Sequence, residues 1–270
     1  MIHLEEPTVS IETSSLVGEA RVPELAAFLE ERLIVEVLQQ LKSGKEATAW
    51  VCRGGPTTGH DLLVAKVYRP IAERGFKNDA AYQEGRWHGD KRIRRAFEQK
   101  SRAGRAAQFG SWIAHEFATL ELLSDAGADV PRPIIRNEST ILMEYVGDED
   151  GPAPLLQHVR LARAEAEAVF ARLLDNVALF LSRDRVHGDL SPYNILYWQG
   201  RATIIDLPQA VDPTTNRNAE ALLARDVANL CAWARRNGIP ADPARISGDL
   251  WMEYRFGGMR DEARGMRQKG

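Results

Sequence analysis

The run HGDLSPYN at residues 187–194 sets Asp189 and Asn194 five residues apart, on a loop short enough to aim both side chains the same way. A carboxylate and an amide at that spacing suit phosphoryl transfer. The acid lies beside an acceptor hydroxyl as base or orienter, while the amide oxygen ligates a magnesium ion. The residues that follow, ILYWQGRATIID, read as two short strands around a turn at Gln199 and Gly200. A hairpin folded symmetrically about Gly200 sets Asn194 and Asp206 opposite one another at its open end, since each stands six residues from the glycine. Cross-strand partners lie about 5 Å apart, near enough for an amide oxygen and a carboxylate to share one hard cation. Asp189 is therefore the candidate base, and Asn194 and Asp206 are the candidate metal ligands.

Any one of these residues in a loop ordinarily makes a turn or caps a helix. The three together, with Asp206 following two β-branched residues, form a far more specific pattern than its parts. His187 is read as a prop that holds the loop by hydrogen bonds. The phosphate-handling half is expected from an upstream hairpin, where Lys66 interrupts the run LLVAKVYR. A lysine among apolar strand residues is ordinarily an edge or surface residue. In VAK it resembles the strand lysine that meets the α- and β-phosphates of ATP in kinases. Such a lysine needs a carboxylate to fix it, and Glu116 is the candidate, against the plainer reading of a solvated helical glutamate. Upstream, SGKEA offers one glycine and several backbone N–H groups suited to covering phosphates. It is not a Walker A loop: no glycine stands five residues before Gly44, and Glu46 follows Lys45 where Ser or Thr is required.

The elements that must position these residues follow from periodicity. VPELAAFLEERLIVEVLQQL repeats Leu25, Phe28, Leu29, Leu33, Val37 and Leu41 at helical spacing, which predicts a helix before the domain proper. ATAWVCR and DLLVAKVYR, separated by the turn-rich GGPTTGH, predict a β-hairpin. Residues 111–124 carry an amphipathic stripe of Ile113, Phe117, Leu120 and Leu123, with Gly127, Pro131 and Pro133 as stop signals. ESTILMEYV reads as a strand, and GDEDGPAP as a linker with a lobe boundary near residue 147. A helix over about Ala164 to Ser182 leads into HGDLSPYN, and one around AEALLARDVANLCAWARR precedes a brief tail.

Composition bounds the class. The 270 residues suffice for two small lobes around a cleft, and 44 % apolar with 27 % charged residues is ordinary for a soluble globular chain. A net charge of -3 gives no chain-wide field toward nucleic acid or membrane. No apolar run approaches the about 18 residues of a membrane span, and the acidic start lacks a signal peptide's basic region. A cytoplasmic protein without a membrane partner is expected. Cys52 and Cys231, far apart and without CxxC spacing, read as buried thiols.

SGKEA, VAKVYR, HEFATLELLSDAGADVPRP, ILMEYVG, HGDLSPYNIL and IDLPQAV, in this order over about residues 42–240, resemble RIO-type atypical serine protein kinases of the subgroup without an N-terminal winged helix. IDLPQ resembles the metal-binding signature of that family, and HGDLSPYN its active loop. The resemblance implies an α+β, bilobal protein-kinase-like fold with a small β-rich N-lobe and a truncated, mainly helical C-lobe. Expected bounds are 1–41 for an extension and helix, 42–146 for the N-lobe with a flexible basic loop at about 70–110, and 147–270 for the C-lobe. It also implies ATP and Mg2+ as cofactors, with Mn2+ as an alternative ion.

Carried over by position, Asp189 acts as base, Lys66 pairs with phosphate and Glu116 holds Lys66. Asn194 and Asp206 bind the metal. Ser43, Gly44, Lys45, Glu46 and Ala47 cover the phosphates, while the backbone of Glu144, Tyr145 and Val146 holds adenine. In the family the metal-binding Asp can itself be phosphorylated in an ATPase cycle, a second role for Asp206. The acceptor would be a protein or the chain itself, with Ser101 a candidate autophosphorylation site. The basic run at 86–105 is either a solvated loop or a contact to RNA or a ribosomal particle, with Arg94 and Arg95 facing phosphate. Two rivals share the motif: a small-molecule kinase of aminoglycoside or choline type, and a ribosome-assembly factor switched by ATP. The short remainder after Asp206 argues against the first.

Overall fold

In the computed structural model, which describes residues 22–69 and 102–267, the amino-terminal half builds a five-stranded antiparallel sheet of order β1-β2-β3-β5-β4. Its strands are β1 (Ile34–Ser43), β2 (Ala47–Gly54), β3 (Leu62–Tyr68), β4 (Pro133–Arg136) and β5 (Thr140–Glu144). Alternation along β3 divides its side chains between two cores. Leu63, Ala65 and Val67 pack with Leu25 and Phe28, around and within the short helix α1 (Ala26–Glu30). Tyr68 joins Ile113, Ile141 and Met143 in the main core on the opposite side. Lys66 shares that second face, on the central strand rather than at an edge.

The helix expected over 22–41 is corrected: helix α1 ends at Glu30, Arg32 adopts φ 55, and the remainder is β1. The cause of the misreading is local. Pairing with β2 skips one residue three times, between Ile34 and Glu36, Val37 and Gln39, and Gln40 and Lys42. Each such bulge adds a residue to the strand's repeat. Burial then recurs at Ile34, Val37 and Leu41, a spacing that imitates a helix.

Helix α2 (Arg102–Asp125) begins earlier than residue 111. It ends where Gly127, at φ 82, reverses the chain, with Ala128 N–H donating to Leu123. The segment beyond β5 is not a plain linker but a minimal hairpin, β6 (Gly147–Asp148) with β7 (Gly151–Pro152). The carboxy-terminal half is mainly helical, as expected: α3 (Arg163–Ser182), the hairpin β8 (Ile195–Trp198) and β9 (Arg201–Ile204), α4 (Ala219–Arg236) and α5 (Pro243–Arg267). Helix α5 replaces the expected brief tail, and Ile246, Leu250, Trp251 and Tyr254 pack it against the core. Val169, Phe170, Leu173, Val177 and Phe180 form the buried stripe of α3, each worth about 1.5–3 kcal/mol of hydrophobic stabilisation.

One core runs through both halves, joining Tyr68, Ile113, Ile141 and Met143 to Leu173, Leu190, Ile204 and Val227. Polar ties reinforce it. The Asp129 carboxylate, just beyond α2, receives Arg172 Nε at 2.6 Å and Asn176 Nδ2 at 2.7 Å, and its carbonyl accepts Ile204 N–H at 2.7 Å. Cys52 and Cys231 are buried free thiols.

Candidate active site

On the N-lobe side, Lys66 Nζ donates to Glu116 Oε1 at 2.8 Å and to Asp206 Oδ1 at 2.6 Å. The three residues, spread over 140 positions of sequence, thus meet across the cleft. Exposure grades outward: the Glu116 side chain is 1 % exposed, Lys66 18 % and Asp206 45 %. Burial alone would push the ammonium down, but Asp206 and then Glu116 outweigh it and keep Lys66 charged. For Asp206 burial acts upward, and the charge and hydrogen bond of Lys66 overcome it, with a smaller pull from Lys42. Its carboxyl is held below the ordinary range. The Tyr68 hydroxyl also donates to Glu116, at Oε2.

Across the cleft, a 3-10 turn over Pro192–Asn194 folds the HGDLSPYN loop back on itself. Asn194 Nδ2 then donates to the Asp189 carbonyl at 2.8 Å. His187 is buried and braces the loop in two directions. Its Nε2 lies 3.2 Å from the Ile205 carbonyl and its Nδ1 accepts Asp189 N–H at 3.2 Å. Those partners fix the neutral tautomer with the proton on Nε2. Burial pushes the imidazole down, in keeping with a neutral prop.

Helix α4 holds the same loop from below. Asp226 accepts Gly188 N–H at 2.7 Å and Leu190 N–H at 2.9 Å, Asn229 Nδ2 donates to the Leu190 carbonyl at 2.9 Å, and Arg225 donates to the Gly188 carbonyl. The Arg225 guanidinium also lies 3.9 Å from Asp189 Oδ1. None of these three was among the residues singled out in the sequence. A signal was there: Asp226 falls on the buried stripe of Leu222, Leu223, Val227 and Leu230, where an acid demands buried partners.

The β8–β9 hairpin differs in register from the symmetric expectation. Ile195 pairs with Ile204 and Trp198 with Arg201, so the axis lies between Gln199 and Gly200, not on the glycine. Both turn residues have positive φ, 46 and 82, as a two-residue type I′ turn requires. Asn194 therefore faces Ile205, whose N–H it receives at 2.9 Å, and Asp206 lies one residue further on. Asp206 recovers the site by a kink: its φ of 68 leaves the strand geometry, a conformation Asp tolerates better than most residues. The donor set suits a hard cation. The Asn194 amide nitrogen is committed to Asp189, leaving its oxygen as the ligating end, and Asp206 presents a half-exposed carboxylate. Among the described residues no group of three or more His, Cys, Asp or Glu is placed to hold a metal ion by itself. Two oxygen ligands completed by phosphates and water fit Mg2+, which seldom takes an all-protein cage.

Ser43, Gly44, Lys45, Glu46 and Ala47 span the β1–β2 turn, closed by Gly44 N–H to the Ala47 carbonyl at 2.9 Å. Arg69 clasps it, through N–H to the Glu46 carbonyl at 2.9 Å and its guanidinium to the Ser43 hydroxyl. Glu144, Tyr145 and Val146 leave β5 toward the β6–β7 hairpin. Glu144 pairs with Leu63, the Tyr145 hydroxyl donates to the Asp148 carbonyl at 3.2 Å, and the Val146 carbonyl accepts Ala153 N–H at 2.9 Å. Arg94, Arg95 and Ser101 lie outside the described residues.

A family model described as the RIO domain matches residues 55–246. The chain is 36 % identical over 206 residues to the RIO-type serine/threonine-protein kinase Rio1 of Haloferax volcanii, covering 75 % of this chain and 64 % of that protein. It is 32 % identical over 189 residues to the RIO-type serine/threonine-protein kinase Rio1 of Thermoplasma acidophilum, covering 70 % of this chain and 93 % of that protein. The crystal structure of the Rio2 kinase–ADP/Mg2+–phosphoaspartate complex from Chaetomium thermophilum shares the fold, with TM-score 0.61 and 21 % identity over 84 % of this chain and 64 % of that chain. On the extent of the domain match and of the Rio1 identities, the chain belongs to the RIO family of atypical protein kinases.

Proposed function

We propose that the cleft transfers the γ-phosphoryl group of Mg-ATP to a serine or threonine hydroxyl, on a protein substrate or on the chain itself. The observation that carries this reading is Lys66 held between Glu116 and Asp206, across from the loop of Asp189 and Asn194. Lys66 meets the α- and β-phosphates, and Asp189 orients the acceptor hydroxyl and takes its proton. Asn194 and Asp206 hold Mg2+, or Mn2+ in its place, which neutralises charge on the phosphates when bound. Ser43 to Ala47 cover the phosphates, and the backbone of Glu144 to Val146 holds adenine. The names of the Rio1 relatives support the acceptor class, and the ADP and Mg2+ of the Rio2 complex support the nucleotide and the ion.

The phosphoaspartate of that complex supports a second, ATPase route here. An Asp206 oxygen takes the γ-phosphoryl as its bond to ADP breaks, and water then releases inorganic phosphate and restores the carboxylate. Aminoglycoside or choline kinase chemistry finds no support among these relatives. The basic run at 86–105 remains our candidate contact to RNA or a ribosomal particle, in a cytoplasmic setting; among the described residues no helix is long and apolar enough to cross a membrane.

Incubation with γ-labelled ATP and Mg2+ tests the reading. Acid-stable label on protein is the kinase outcome, and hydroxylamine-labile label with release of phosphate is the ATPase outcome. Label passing to a small molecule, or turnover independent of Mg2+, overturns both.

A further inference from the structure

We infer that Tyr68 is a positioning residue of this site: its hydroxyl grips the second oxygen of Glu116, making a triad with Lys66 that fixes α2 against β3. The inference rests on the proposed role of Lys66. Strand alternation puts Lys66 and Tyr68 on one face of β3, two residues apart and both turned toward α2. Glu116 is 1 % exposed, so each carboxylate oxygen needs a protein partner. Lys66 takes Oε1 and Tyr68 takes Oε2.

The ring is fixed as firmly as the hydroxyl. Tyr68 is 2 % exposed and meets Trp112 edge to face, with centroids 5.4 Å apart and planes at 86°. Trp112 stands one helical turn before Glu116, so Tyr68 engages two successive turns of the same face of α2. That sets the rotation of the helix as well as its distance from the sheet. The Lys66 ammonium lies 5.2 Å from the same ring's centroid, a cation–π contact. Burial, and then the Glu116 charge, push the phenol well above its ordinary value, so the hydroxyl stays a donor. A residue that only filled the core would need the ring and not the oxygen.

Tyr68→Phe keeps the ring on Trp112 and beneath Lys66 and removes only the hydroxyl. Lys66 binds phosphate alike in ground and transition states, so the loss appears in KM for Mg-ATP. We expect KM to rise about tenfold, with kcat changed less than about threefold and thermal melting confirming a folded protein. In a Glu116→Gln background the same substitution should add less than about twofold, because the hydroxyl acts through Glu116. An unchanged KM in Tyr68→Phe, or a full tenfold further rise in the double variant, overturns the inference alone. If Glu116→Gln itself leaves KM unchanged, the Lys66–Glu116 reading falls with it.

Discussion

Asp226 accepts the backbone N–H groups on either side of Asp189, from Gly188 at 2.7 Å and Leu190 at 2.9 Å. The direction of the candidate base is thereby set by a buried acid on α4 that has no motif of its own. Asp226→Ala leaves two buried N–H groups without acceptors, a loss of about 1–3 kcal/mol each. Phosphoryl transfer should fall at least about 100-fold with a marked drop in melting temperature, measured by labelled-ATP turnover and circular dichroism.

Asp226 also sets a pH dependence. Burial pushes its carboxyl up to about 7, against the downward pull of the Gly188 and Leu190 N–H groups. An unfolded aspartate titrates near about 3.9. The folded state thus holds the proton more tightly, and the stability this contributes is complete below about pH 4 and lost as pH rises through about 7. The melting temperature should fall between about pH 4 and 7, and Asp226→Asn, which carries no such proton, should flatten that fall. Equal slopes for the two proteins would contradict the assignment.

Lys66→Met strands the Glu116 carboxylate in the core, a change that costs about 3–5 kcal/mol when a buried partner is lost. Adding Glu116→Gln removes the stranded charge and should recover much of that stability. The KM for Mg-ATP stays raised in both variants. Parallel denaturant melts and turnover assays separate the pair's structural cost from its use.

Asp206 gives the opposite pattern. Its side chain is 45 % exposed and asparagine tolerates its positive φ, so Asp206→Asn should melt within a few degrees of the parent while losing Mg2+-dependent transfer. Lys66 holds the Asp206 carboxyl below the ordinary range, so whatever the pair contributes is present above about pH 4 and lost as pH falls through the folded value. Melting curves of the two proteins should converge in acid. Asn194→Ala, by contrast, should raise the Mg2+ concentration needed for half-maximal activity.

The candidate site could be proposed from the sequence where a motif carries its residues, and its supporting contacts could not where they depend on distant packing. Asp189, Asn194 and Asp206 stand within one loop and hairpin, and Lys66 with Glu116 comes from the resemblance of VAK to the strand lysine of kinases, which needs a carboxylate to fix it. The hairpin misled by one residue because its symmetry was centred on Gly200, whereas a two-residue turn of Gln199 and Gly200 has its axis between them. In β1, three bulges converted a period of two into one of three to four. Asp226 and Tyr68 were missed because their partners lie 36 or more residues away and, unlike the similarly distant Lys66–Glu116 pair, no motif pointed to them.

Gly200 offers a test of the hairpin. At φ 82 with open space around its Cβ direction, substitution costs backbone strain and nothing else. Gly200→Val should lose about 1–2 kcal/mol, and Gly200→Asn much less. Because β8 and β9 lead from Asn194 and into Asp206, the valine variant should also need more Mg2+ for half-maximal turnover.

Sheet residues Tyr68, Ile141 and Met143 belong to the same core as Leu173, Leu190 and Val227 beneath the cleft. The two lobes therefore share one continuous hydrophobic core. A nucleotide gripped by both lobes raises the melting point of the whole molecule, since any ligand of the native state draws on the shared unfolding equilibrium. The smaller cluster of Leu25, Phe28, Ile34 and Cys52 packs on Ala65 and Val67, the β3 neighbours of Lys66, so it backs the site lysine from the other face of the sheet.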